Sequence, residues 1–439
     1  MHKLIIRLMC MAFFLSISGC AMVGPRITEE TIIKAYAHEK TRPKDHPLIF
    51  IPGMFGTVLE DSDTGKVIWG NTSEELIKKL ELPIDSVKMS DNVDNVAPVK
   101  MLTEFSIIPG LVEKDIYGRA KHIAIKAAGY EMGKTAFSLT YDWRRDLVEG
   151  ARRLGELINE IKREKGKPDL KFDIVCHSAG GLVARYYAKY GPEDVLDRNP
   201  IPEPTYSGAK NINKIIMMGT PNYGSMESFR SIDKGLHIPC IGTLTNEIIF
   251  SMPSAFELMP FYGKAPFIDV IGRNLDVSLY DHLNWEKYGW SVFGNAGTDD
   301  ALRAKQRRFL AAALKRAVAF QEALWKGSLE IESKRVLYIL LGADADDTAD
   351  KAVLQKTESG WKTLFHPHDD TINHLAMMPG DNTVTRQSLL GRHLNKGKEE
   401  EFPSAYEIFL AQDHIDLPGD PTFLDNILHS LLDRTKESV

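Results

Sequence analysis

From about residue 115 the chain alternates between two hydrophobic periods. Asp115 to Ala128 carries a helical pattern that closes at Gly129. Thr135 to Leu139 is a short strand-like run. Leu147, Ala151, Leu154, Ile158 and Ile161 then recur at spacings of three and four, the signature of an amphipathic helix, and Gly166 with Pro168 stops it. Phe172 to Cys176 and Ile212 to Met218 are apolar throughout, as buried strands are. Leu182 to Tyr190 between them is helical in pattern and ends at Gly191-Pro192. Upstream, Pro47 to Pro52 predicts one more buried strand, followed by a loop punctuated by glycine, Gly53-Met54-Phe55-Gly56-Thr57. Strands alternating with helices predict an α/β fold with a mostly parallel sheet and helices on both faces.

The alternation breaks at about residue 225. Residues 225–333 hold few strand signals and many aromatics, among them Phe256, Phe261, Tyr262, Trp285, Tyr288 and Trp290, and a long helical run from Leu302 to Trp325 closes this part. Strand patterns resume at Arg335 to Leu341 and at Tyr406 to Leu410, and Phe423 to Leu432 predicts a last helix. The expected organisation is a core of residues 47–224 and 334–439 with a cap, 225–333, inserted into it. The polar, irregular stretch 20–46 has the character of a tether.

A length of 439 residues with 43% hydrophobic and 26% charged residues suits a folded globular chain with a large core. The net charge is −6 and no Lys/Arg stripe is present, which argues against nucleic acid as a partner. At the N-terminus, Lys3 and Arg7 precede an apolar run from Leu8 to Leu15. The run is too short to span a bilayer as a helix but suits the middle of a secretory signal. Ile17-Ser18-Gly19-Cys20 resembles the lipobox of bacterial lipoproteins. That resemblance implies cleavage of residues 1–19 and lipidation of Cys20. Ala21, where an inner-membrane retention signal often has Asp, points to the outer membrane of a bacterial envelope. Of the four cysteines, Cys10 would leave with the signal and Cys20 would be acylated. Cys176 and Cys240 remain, and the apolar setting of Cys176 favours a buried free thiol over a disulfide.

The chemistry centres on Cys176-His177-Ser178-Ala179-Gly180-Gly181, which lies between a strand pattern and a helix pattern. This is the context of a nucleophile elbow, in which a strained turn exposes a serine above a sheet of the α/β-hydrolase type. Small residues flank the serine so that strand and helix can approach each other. Cys176 stands where the motif usually has glycine. A serine nucleophile needs a base, and the base needs an orienting carboxylate, in the chain order Ser, Asp or Glu, His. The histidines after Ser178 are His237, His282, His366, His368, His374, His393, His414 and His429. His414 follows a strand pattern and opens a loop, where a last sheet strand would deliver a base. His429 falls within a helix pattern, and His177 should point away from the serine. Two carboxylates compete as the orienting acid, Asp344 just after a predicted strand and Asp381 in Gly380-Asp381-Asn382-Thr383-Val384.

Six blocks in order resemble the lecithin:cholesterol acyltransferase family, over about residues 47 to 432. They are Pro52-Gly53-Met54-Phe55-Gly56 with Leu59-Glu60, Tyr141-Asp142-Trp143-Arg144, the elbow, Gly219-Thr220-Pro221 with Gly224-Ser225, Gly380-Asp381-Asn382-Thr383-Val384, and Asp413-His414. The resemblance implies Ser178 as nucleophile, Asp381 as orienting acid, His414 as base, and the backbone N–H groups of Met54 and Ala179 as the oxyanion hole. It also implies a lipid ester as substrate, with the choice between hydrolysis and acyl transfer open. The family's eukaryotic members hold an early lid with a disulfide, and this chain has no cysteine pair for one. Trp69 is a candidate acyl-chain contact or a packed surface aromatic.

Other clusters weigh less. Asp142 and Arg144 beside bulky aromatics favour a buried, paired structural element. His366-Pro367-His368-Asp369-Asp370 lacks zinc-motif spacing, and Asp344, Asp346, Asp347 and Asp350 lack the glycine and glutamate of a calcium loop. No cofactor or metal is expected. The expectation is therefore a lipid-anchored serine hydrolase or acyltransferase. The alternatives are a metal-dependent hydrolase at His366 and His368, and a non-catalytic lipid-binding lipoprotein that keeps the fold. Oligomeric state is not legible.

Overall fold

The computed structural model describes residues 27–433 apart from 71–73, 109–111, 239–241, 262–265, 368 and 396–397. The signal segment 1–19, Cys20, Cys240, Tyr262 and His368 lie outside the described residues.

Six strands form the central sheet: β1 (Leu48–Ile51), β2 (Ala136–Ser138), β3 (Phe172–His177), β4 (Ile212–Met218), β5 (Leu337–Ala343) and β6 (Tyr406–Leu410). Their spatial order is β6-β5-β4-β3-β1-β2, and every pairing is parallel. β1, β3 and β4 are buried at every position, as expected of strands covered on both faces. Five helices matter most: α1 (Gly118–Lys126), α2 (Leu147–Lys165), α3 (Ala179–Tyr190), α4 (Asp300–Trp325) and α5 (Pro421–Leu432). α2 starts at Asp146, whose side chain accepts from the Val148 N–H, and ends at Gly166 with φ 61°, a conformation that glycine adopts freely. Its Leu147, Ala151, Leu154, Ile158 and Ile161 form the buried stripe, each large side chain contributing roughly 1.5–3 kcal/mol. α3 is buried along its whole length, between the sheet, α2 and α4. Its two cations, Arg185 and Lys189, pair with the buried Glu332 and donate to the Leu324 carbonyl at the end of α4.

Between β4 and β5 the chain makes short helices, small hairpins and α4, around the aromatic cluster of Phe229, Phe256, Trp285 and Trp290. This layer also draws on later sequence. Phe267–Ile268 pairs in parallel with Ala352–Thr357, which continues into Gly360–Leu364. A second, antiparallel sheet of Thr57–Asp61, Val67–Trp69 and Val96–Met101 lies beyond the loop after β1.

Residues 28–46, within the stretch expected to be a tether, include regular structure. Thr28 caps a helix, Glu29–Ala35, whose Ile32 is buried, and Tyr36 donates to the Asp425 carbonyl on α5. The Lys40 carbonyl then sits against Gly129, where a Cβ would lie 2.2 Å from it. Two apolar side chains in seven residues are too few for the sequence pattern to register, but they suffice once α1 and α5 offer a surface.

Candidate active site

The carboxyl ends of β3, β5 and β6 face one side of the sheet, and the reactive groups come from the loops that leave them. Ser178 follows β3 with φ 54° and ψ −130°, a left-handed conformation that a residue with a Cβ enters only under constraint. The constraint is local. Its N–H donates to the Met218 carbonyl, and Gly180 and Gly181 let the helix start close by. A Cβ at Gly180 would lie 2.6 Å from the Ile51 carbonyl oxygen, and one at Gly181 would lie 2.0 Å from Thr220 Oγ1. Cys176, by contrast, is an ordinary strand residue, so the position that usually carries glycine has no need of one here. Its free thiol is buried, which pushes its pKa up, and it donates to the Ile216 carbonyl.

His414 opens the loop after β6. Its Nε2 lies 2.9 Å from Ser178 Oγ and its Nδ1 lies 2.8 Å from Asp381 Oδ2. A carboxylate only accepts, so Nδ1 carries the proton and Nε2 is free to accept from the serine hydroxyl. Asp381 is buried. Its other oxygen accepts from the N–H groups of Thr383 (3.1 Å) and Val384 (2.6 Å), which fixes the carboxylate plane. The His414 N–H donates to the Asp381 carbonyl, and the Asn382 side chain donates to Asp413, so the Asp381 and His414 loops are tied twice. Asp344 takes no part: its carboxylate pairs with Arg386 at 2.7 Å. The reason is topological. After β5 the chain pairs Asp346–Ala349 with Met377–Gly380 and makes an excursion between them, so Asp381 arrives on the return strand.

Gly53 lies directly over the serine, where a Cβ would meet Ser178 Cβ at 2.6 Å. Met54 follows, and among the described residues its N–H donates to no carbonyl. Ala179 is the first residue of α3, whose N–H has no partner within the helix and carries the positive end of the helix dipole. Three aromatic donors hold the intervening loop. Tyr141 Oη donates to the Pro52 carbonyl (2.8 Å), Trp69 Nε1 to that of Phe55 (2.7 Å) and Trp143 Nε1 to that of Thr57 (3.0 Å). Phe55, itself at φ 64°, packs between Trp69 and Trp143. Trp69 is buried, so it supports this loop and is not a surface aromatic. Arg144, fully buried, sits between Asp94 and Asp142, the paired structural element its sequence suggested.

Sequence reasoning missed Tyr117. Its hydroxyl lies 3.0 Å from the Gly53 N and 2.8 Å from His177 Nδ1, while His177 Nε2 lies 3.0 Å from the His414 carbonyl oxygen. The His177 ring is thus engaged by Tyr117 and by the His414 loop. Burial, and secondarily the neighbouring His414 ring, holds its pKa well below the usual histidine range. No local signal marks Tyr117, whose partners lie 60 and 64 residues away.

The metal candidates are used otherwise. Asp369 caps the helix Asp370–Ala376, His366 is exposed, and Asp346 lies in a strand. Among the described residues no group of three or more His, Cys, Asp or Glu side chains is arranged to hold a metal ion, and no helix is long and apolar enough to cross a membrane.

Comparison with known proteins agrees with this architecture. A chain of the Tle4–Tli4 complex superposes with a TM-score of 0.54 at 13% identity, over 88% of this chain and 99% of that one. The mature lipase BlEst2 of Bacillus licheniformis matches at a TM-score of 0.34 and 11% identity, over 89% of this chain and 93% of its own. The phospholipase PlaB of Legionella pneumophila matches at 0.34 and 13%, over 89% and 61%. No curated protein matches the sequence. The fold is that of the α/β-hydrolases, and over residues 119–287 the chain matches the model of the lecithin:cholesterol acyltransferase family.

Proposed function

We propose that this protein is a serine hydrolase or acyltransferase that acts on lipid esters, with phospholipid acyl chains as the substrate class. Ser178 Oγ attacks the ester carbonyl while His414 Nε2 takes its proton. Asp381 holds the imidazole in the tautomer that can accept, and it faces the imidazolium that forms. The N–H groups of Met54 and Ala179 receive the oxyanion, a contribution of about 3–4 kcal/mol for each donor. Collapse expels the alcohol, which takes the proton from His414, and leaves an acyl-enzyme. Water, or a second alcohol, releases the acyl group by the same steps in reverse. The single observation that carries the reading is the unbroken hydrogen-bonded line from Asp381 through His414 to Ser178, at 2.8 and 2.9 Å. The lipid ester as substrate is supported by the family match. The lipobox-like segment supports a protein anchored through Cys20 in a bacterial envelope, at the outer membrane.

The test is active-site labelling with a fluorophosphonate, beside Ser178→Ala. The expected result is a single adduct on Ser178, absent from a folded Ser178→Ala protein, and phospholipid turnover that EDTA does not reduce. Turnover retained by Ser178→Ala would sink the mechanism. Adding an alcohol acceptor to the assay separates acyl transfer from hydrolysis by the product formed.

A further inference from the structure

We infer that Tyr117 and His177 are positioning residues that tie the oxyanion loop to the base loop through one directed chain of hydrogen bonds. The inference rests on the serine mechanism proposed above.

The direction of each bond is forced. The His414 carbonyl can only accept, so His177 Nε2 carries a hydrogen and, in the neutral ring, Nδ1 is the acceptor nitrogen. Tyr117 Oη therefore donates to Nδ1 and accepts from the Gly53 N–H. All four polar groups belong to buried residues, where such groups are normally paired. One end of the chain is the residue that packs on the serine and precedes the Met54 N–H. The other is the backbone of the base itself, whose ring lies 4.8 Å from that of His177, tilted by 38°. The nucleophile, the oxyanion donor and the base come from three different loops, and this chain links the second of these to the third. A charged His177 would present a second N–H to Tyr117 and break the sequence of donors. Burial beside His414 keeps the ring neutral, which agrees with the geometry.

Two substitutions cut the chain at different points. Tyr117→Phe removes the shared hydroxyl, and His177→Asn offers an acceptor near the Nδ1 position but no donor to the His414 carbonyl. With a soluble p-nitrophenyl ester, each should lower kcat and the fluorophosphonate labelling rate roughly ten- to a hundredfold while KM stays within about twofold, because misplaced catalytic groups, not ground-state binding, are at issue. The double variant should lose little more than the worse single variant, since both interrupt one chain. Ile158→Val, a truncation in α2 far from the site, serves as the stability control and should leave kcat intact. A second readout needs no activity. Histidine-ring NMR should show His177 as the neutral Nε2–H tautomer across about pH 5 to 8, and Tyr117→Phe should move the His414 ring resonances. A His177 ring that titrates near its ordinary range, or variants that keep wild-type kcat and leave His414 unmoved, overturns the inference. Absence of wild-type labelling alongside the expected NMR pattern would instead count against the serine mechanism and leave the chain standing.

Discussion

Position 382 shows how single residues set this site. The acid loop resembles a family motif that has glycine there, and the backbone does adopt a left-handed φ of 67°. Asparagine enters that region at small cost and adds a side chain that donates to Asp413 beside the base. The two carboxylates that topology alone left open, and that the family resemblance resolved toward Asp381, are distinguishable by experiment. Asp381→Asn should lower kcat on the order of 10³–10⁴-fold by favouring the wrong tautomer of His414. Asp344→Asn, which loses only a partly exposed pair with Arg386, should stay within about threefold. Steady-state kinetics on both variants decides, and equal losses would remove Asp381 from its role. His177 gives a pH signature. Its buried ring stays neutral, whereas in the unfolded chain it takes a proton near pH 6.5. The unfolded state therefore binds the extra proton, and stability falls as pH drops below about 6.5, by up to about 1.4 kcal/mol per unit. Urea midpoints between about pH 7 and 5.5 should show this decline in wild type and a shallower one in His177→Asn. Ser178 was legible because its environment is local, a strand, a turn and a helix within nineteen residues of sequence. Tyr117 was not, because what defines it is three loops meeting in space.

At the scale of elements, the loop after β1 is suspended from a scaffold of Tyr141, Trp143 and Trp69, and Arg144 locks that scaffold to Asp94 and Asp142. Arg144→Met should destabilise the fold by about 3–5 kcal/mol, because it leaves two carboxylates without their counter-charge in a largely buried site. Thermal unfolding measures this directly, and a shift of under about one degree would mean the pair is idle. The core strands could be read from sequence because a parallel sheet covered on both faces demands continuous apolar runs. The antiparallel pieces could not. Val96–Met101 contains Pro98 and Lys100 and buries only its last residue, so neither period appears in it. Ala352–Thr357 buries its first half alone, and its partner Phe267–Ile268 is two residues long. The same excursion that hid these strands also displaced the acid from the end of β5, which is why Asp344 satisfied the expected topology without occupying the site.

At the scale of the molecule, core and aromatic layer meet at the start of α2. Asp146 caps that helix and pairs with Arg316 on α4, while Glu257 accepts from the Leu147 N–H at 2.8 Å. Burial, and then the adjacent Asp146 carboxylate, pushes the Glu257 carboxyl well above its usual range. The folded protein thus keeps a proton that the unfolded chain releases near pH 4.3, and this junction loses stability as pH rises above that value. Glu257→Gln keeps an acceptor for Leu147 and removes the titration. It should raise Tm by a few degrees near pH 8 and by little near pH 4.5, a contrast that calorimetry at the two pH values would detect. The ordered N-terminal helix has a bearing of another kind. Eight residue steps lead from Cys20 to Thr28, where the chain docks, and even fully extended they reach no further than about 28 Å. A copy held by lipid at Cys20 would therefore be on a short leash, grazing the leaflet in which it is planted and unable to swing out to a facing membrane.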